Sequence, residues 1–112
     1  MFDRLEIFAL ASARAQHAAA RQAVVASNIA HADTPGYRAR DIADFTETWR
    51  AMQQGDGPAP RVIDAGTPAS PNGNTVSLEL EMLRGIEAQR AHSRALRIYG
   101  SALGILRTSI GR

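Results

Sequence analysis

Apolar residues recur at intervals of three and four over both ends of the chain and lose that rhythm in the middle. From about Asp3 to Ala32 there is no proline or glycine, and alanine, leucine, arginine and glutamine dominate, all good helix formers. Leu5, Phe8, Ser12, Ala15, Ala19, Gln22, Ala26 and Ile29 fall on one stripe of this predicted helix. Asp3 is placed to cap it, with Glu6 following as in a capping box. The stripe has large residues at its ends and small ones between. Another helix can approach it closely, but little area is buried when it does. A second helix is predicted from Thr75–Ser77 almost to Gly111, with Ser77 or Thr75 as cap. Glu79 and Glu81 lie in its first turn, where the helix dipole favours acids. Met82, Ile86, Gln89, Ser93, Leu96, Gly100, Leu103, Leu106 and Ile110 form its expected seam, coiled-coil-like though polar in the middle. Gly85, Gly100 and Gly104 each cost about 1 kcal/mol of helix stability against alanine. They are read as points of close helix contact.

Between the helices the signals are those of turns. Pro35 disfavours the helical conformation at Thr34. Pro35 and Gly36 suit the two central positions of a type II turn, where glycine supplies positive φ. In residues 38–52, Ile42, Phe45, Trp49 and Met52 have the spacing of a short helix, with an extended start through Arg40 or Asp41 as the alternative. From Gln53 to Asn74 the chain reads as a linker, expected to be mobile or ordered by a partner, and Arg61-Val62-Ile63 is its one weak strand signal. The predicted fold is mainly all-α: two long terminal helices in an antiparallel, coiled-coil-like pair, joined by a turn- and loop-rich middle. The expected units are 1–35, 36–75 and 76–112.

The arithmetic of length changes the picture. The chain has 112 residues, at most one ordinary domain. The two helices would be roughly 45 and 50 Å long at ~1.5 Å per residue. A compact domain of this size has a radius of gyration of only ~13 Å. Either the helices break, or the molecule is a long pair that completes its burial against other chains. Leu96, Ile98, Tyr99, Leu103, Ile105, Leu106 and Ile110 surround the C-terminal helix and favour the second, because a helix apolar all round must be enclosed.

Composition mostly excludes. Aromatics are only 5% of the chain, too few for a bulky core. Cysteine is absent, which removes disulfides, thiolate metal sites and cysteine nucleophiles. No apolar run is long enough to predict a transmembrane helix, and no secretory signal is read. The net charge is +2 and every one of the 13 cationic residues is arginine, nearly balanced by 11 acids. Such a mixed surface is weak evidence for nucleic acid. Arg84, Arg90, Arg94, Arg97 and Arg107 make the second helix basic. Intrahelix pairing, for example of Glu87 with Arg84 or Arg90, and pairing between subunits are both open readings. His17, His31 and His92 are at no metal-ligand spacing and are expected to pack or be solvated. No catalytic residue, cofactor or metal site is predicted.

One string stands apart: Ala26-Ser27-Asn28-Ile29-Ala30-His31-Ala32-Asp33-Thr34-Pro35-Gly36-Tyr37-Arg38-Ala39-Arg40-Asp41. Physically it is a helix end, a proline-glycine turn and an exit strand. As a pattern it resembles the N-terminal signature of bacterial flagellar axial proteins, the rod, hook and hook–filament junction subunits, and among them the proximal rod subunits. Asn72-Gly73-Asn74-Thr75-Val76-Ser77-Leu78-Glu79-Leu80-Glu81-Met82 is similar to the start of that family's C-terminal helix, and Leu106-Arg107-Thr108-Ser109-Ile110 to its ending. The resemblance implies a structural subunit of the basal-body rod with no enzymatic activity. It implies helical assembly with itself and other rod subunits, and contact with the membrane ring and its adaptor. It also implies a place in the periplasmic rod, reached by flagellar type III export without a cleaved signal, and no binding of nucleic acid or insertion into a membrane. The residues expected to carry assembly are Asn28, Ile29, Asp33, Thr34, Pro35, Gly36 and Tyr37 in the motif, and Leu96, Leu103, Ile105, Leu106 and Ile110 on the last helix. A small helical adaptor or a type III secretion chaperone-like protein would share the paired helices but needs no such turn. A four-helix-bundle dimer with an enzymatic histidine is the remaining class.

Overall fold

A computed structural model describes residues 4–55 and 60–111. The expected cap at Asp3 lies outside the described residues. In chain order the elements are α1 (Arg4–Ala30), β1 (Arg40–Ile42), α2 (Phe45–Gln53), β2 (Val62–Asp64) and α3 (Leu78–Ile110). The molecule measures 64 × 27 × 15 Å with a radius of gyration of 17.3 Å, so the helix pair is elongated and neither long helix breaks.

α1 and α3 lie side by side and antiparallel: Asn28 meets Glu81, and Phe8 meets Tyr99 edge-on with ring centres 5.1 Å apart. The seam between them is made of small residues. Ala11, Ala18 and Val25 are buried on α1, and Ala88 and Ala95 on α3. Both expected stripes were therefore out of phase. On α1, Leu5 and Ile29 of the expected stripe are exposed, and so are Ala19 and Ala26. On α3, Met82, Ile86 and Leu96 face solvent. The cause is the spacing of alanine. Ala11, Ala18 and Val25 repeat every seven residues, as do Glu81, Ala88 and Ala95. Two such rows let the backbones come closer than leucine or isoleucine would allow. Gly85 belongs to this close contact, since a Cβ there would sit 3.5 Å from Val25 Cγ1. Gly100 and Gly104 do not: a Cβ on either would meet nothing within 4 Å.

The middle segment is more ordered than its composition suggested. β1 and β2 pair antiparallel, Arg40 with Asp64 and Ile42 with Val62, so the weak strand signal at Arg61–Ile63 is real but begins one residue later. Arg61 forks onto both carboxylate oxygens of Glu47 at 3.0 Å, tying β2 to α2. Arg38 donates to Asp64 at 2.8 Å. That guanidinium, helped by the Gly66 amide, holds the Asp64 carboxyl below its ordinary range. α2 lays Phe45 against α1, where Arg14 sits 4.3 Å over the ring and His17 meets it edge-on. His17 Nε2 donates to the Ala43 carbonyl at 2.7 Å, a packing role as expected. Ala13, Ala39, Ile42 and Ala43 are buried in this second, smaller contact.

Candidate functional site

α1 ends at Ala30, and the turn chemistry that follows builds a joint. The His31 amide bonds both the Ser27 and Asn28 carbonyls, and the Thr34 amide bonds the His31 carbonyl, a tightening of the last turn. The Tyr37 amide then closes onto the Thr34 carbonyl at 3.2 Å, across Pro35 and Gly36. Gly36 has φ of +74°, the positive value a type II turn demands. Gly73 approaches from the segment before α3: a Cβ on it would lie 3.3 Å from Gly36 Cα. Two glycines thus allow two backbones to touch.

The segment before α3 folds onto this turn. The Gly36 amide donates to the Asn72 carbonyl and the Thr75 amide to the Tyr37 carbonyl. The Ala39 amide donates to Thr75 Oγ1 at 2.7 Å. Asn74 Nδ2 donates to the carbonyls of His31 and Thr34 at 2.9 and 2.7 Å, capping the end of α1 from a distant part of the chain. Its Oδ1 accepts from the Val76 amide. Ser77 then caps α3, its hydroxyl accepting from the Leu80 amide.

At the centre lies Asn28, fully buried. Its Nδ2 donates to the Arg40 carbonyl at 2.7 Å and to Glu81 Oε1 at 2.9 Å. Its Oδ1 accepts from Tyr37 Oη and the Arg40 amide at 3.2 and 3.1 Å. Both donors and both acceptor positions of the amide are used. Glu81 is also fully buried, and its second oxygen accepts from Arg84 at 2.8 Å. Arg84 and Arg21 both reach Asp41, at 3.7 and 3.2 Å. Arg21 also pairs with Glu87 at 3.6 Å, so of the open readings for Glu87 the pairing seen is across the two helices and not within α3. His31 stacks on Tyr37, ring centres 4.5 Å apart, and its Nδ1 donates to the Ser27 carbonyl.

The joint gathers the motif residues Asn28, Thr34, Pro35, Gly36 and Tyr37 within one hydrogen-bonded unit. Ile29 and Asp33 stand at its edge with exposed side chains. Sequence reasoning missed Glu81, Asn74 and Thr75 as its other half, although the string containing them had been singled out. The remaining expected residues occupy the opposite end of α3. Leu96, Ile105 and Ile110 are 52%, 60% and 73% exposed, while Leu103 and Leu106 are half-buried. Phe8 lies opposite Tyr99, so at equal rise the described end of α1, Arg4, is level with about residue 103. Ile105 to Ile110 run past it. Among the described residues no cluster of His, Asp and Glu has metal-site geometry, and no helix is long and apolar enough to cross a membrane.

The architecture is thus a long helix pair with a thin seam, locked by polar groups at one end and bare at the other. Residues 9–38 match the family model described as flagella basal body rod protein. The chain is 41% identical over 71 residues to the flagellar basal body rod protein FlgB of Yersinia ruckeri, covering 63% of this chain and 42% of that one. It is 60% identical over 37 residues to the protein of the same name from Escherichia coli, 33% of this chain and 27% of that one. It is 42% identical over 50 residues to the one from Agrobacterium fabrum, 45% and 37% of the two chains. The matched stretches span less than half the length of these relatives. Over these stretches the chain is similar to flagellar basal body rod proteins.

Proposed function

We propose that this chain is a structural subunit of the proximal part of the bacterial flagellar rod, assembling helically with copies of itself and other rod subunits to transmit torque. Its role is mechanical and not catalytic. The observation that carries the reading is the bare distal half of α3. Ile98, Tyr99, Ile105 and Ile110 are large, apolar and exposed on a helix whose seam uses alanine. Burying one such side chain is worth ~1.5–3 kcal/mol, a gain that neighbours in a tube would supply at every subunit. Residues 1–35 and 76–112 form the helical core of the rod in this reading, and 36–75 the connector between subunits. The joint sets the angle at which the connector leaves. The membrane ring and its rod adaptor are the neighbours at the base. The chain reaches the periplasmic rod through the flagellar type III apparatus without a cleaved signal.

Ile105→Asp and Ile110→Asp test the reading, both at exposed positions. A charge placed there must be desolvated in every subunit of a polymer but stays in water on a free chain. The expected result is normal solubility and export, with no subunit in purified basal bodies and no external flagella. Normal rods built from these variants would sink the interface.

A further inference from the structure

Arg90, Arg94 and Arg97 form an exposed row on α3, on the side turned away from α1. The acids that might neutralise them are committed elsewhere. Glu87 reaches Arg21, Glu81 holds Arg84, and Asp41 takes both of those arginines. Among the described residues none of the three has an ion pair or side-chain hydrogen bond. Like charges at i,i+3 and i,i+4 destabilise a helix, and no ion pair among the described residues offsets the row. A shallow groove runs along the row, lined by Ile86, Gln89 and Ser93 beside the arginines.

We propose that this row docks an acidic helix of a neighbouring subunit with a different sequence, one bearing carboxylates at i, i+4 and i+7. The steps of four and three match carboxylates rising along a second helix, and each guanidinium offers a planar fork to a carboxylate. Ser93, small and central, leaves room for the partner's backbone, and Gln89 supplies an amide beside it. A second copy of this chain does not fit. Among the described residues its exposed acids outside the pairs named above, Glu6, Asp33, Asp44 and Glu79, sit on α1, on the turn, before α2 and at the start of α3, and share no helical row. An anionic bilayer, which calls for an apolar sector beside the cations, is the competing occupant, since Leu83 and Ile86 are exposed there; the vesicle arm of the test decides between them.

The surface deepens the rod reading by naming the chemistry of one neighbour, and rests on it for where that neighbour is met. The test uses the purified full chain and a labelled alanine-based helical peptide with glutamates at i, i+4 and i+7. The same peptide with glutamines and phosphatidylglycerol vesicles are the other probes. The glutamate peptide should bind, and weaken about tenfold or more on replacing Arg90, Arg94 and Arg97 with Gln. The charge-matched control, Arg40, Arg50 and Arg107 replaced with Gln, should change binding by less than about twofold, since it leaves the row intact. Equal losses in the two triple variants, equal binding of the glutamine peptide, or stronger row-dependent binding to vesicles would each overturn the acidic helix. Those outcomes leave the rod reading standing. That reading fails instead if the wild-type chain is absent from purified basal bodies.

Discussion

The two ends of the α1–α3 pair are built on opposite principles. At the joint, almost nothing large and apolar is buried. Asn28 and Glu81 are enclosed with every polar contact made, and three backbone segments converge on them. At the far end the side chains are large and apolar and water reaches most of them. A buried hydrogen-bond network is directional and specifies one arrangement. Apolar surface is undirected and rewards any cover. The comparison teaches that geometry is decided within the chain at one end, while affinity for other chains is stored at the other. The alanine rows between need this division. Their repeat of seven would tolerate a slip by one heptad, and the Asn28–Glu81 contact makes that slip costly.

The sharpest way to break the comparison is to remove the lock. Asn28→Ala would strip Glu81 Oε1, the Arg40 carbonyl and the Arg40 amide of this partner. Stranding buried groups of this kind costs about 3–5 kcal/mol. Urea unfolding of the isolated chain should show that loss, while Ile110→Asp shifts the midpoint little. Equal losses at both ends would erase the distinction. Next comes the turn. Gly36→Val must hold a β-branched residue at positive φ, a strain of about 1–3 kcal/mol. The same unfolding assay should register it, and an unchanged midpoint would show that the turn yields.

Gly104→Ala probes the bare end with the opposite sign. A Cβ there meets nothing in this chain, so the helix should gain about 1 kcal/mol. If a neighbour uses that notch, the more stable subunit will enter basal bodies less well, measured by immunoblot of purified rods. Unimpaired entry would confine the glycine's role to the lone chain. The smallest effect belongs to pH. A carboxyl whose folded value is depressed, as at Asp64, adds stability above its unfolded value and loses it as pH falls through the folded one. The wild-type chain should therefore lose slightly more stability than Asp64→Asn below the ordinary carboxylate range. Parallel pH profiles of the two would show the Arg38 contact to be idle.

Much of the fold was legible where local chemistry decides it. The proline-glycine turn, the Ser77 cap, the two long helices and their antiparallel pairing all follow from short stretches. The phase of the seam was not legible, because apolar size is normally the guide to the inside. Here alanine is inside and methionine, leucine and isoleucine outside, a choice visible only once the helices are paired. The joint was half legible. Asn28 and Gly36 stood in the singled-out string, but Glu81 lies 53 residues from Asn28 in sequence and looked like a first-turn acid. Nothing local distinguishes a carboxylate that favours the dipole from one that is enclosed.

The thinnest dimension of the molecule, 15 Å, is little more than the ~10–12 Å of a single helix with its side chains. A slab of that thickness removes little apolar surface from water when it folds alone, so its unfolding should carry a small heat-capacity change and a shallow stability curve. Stacking slabs supplies the missing term. The melting temperature then becomes a function of subunit concentration, and the heat capacity of melting grows with the length of the assembly.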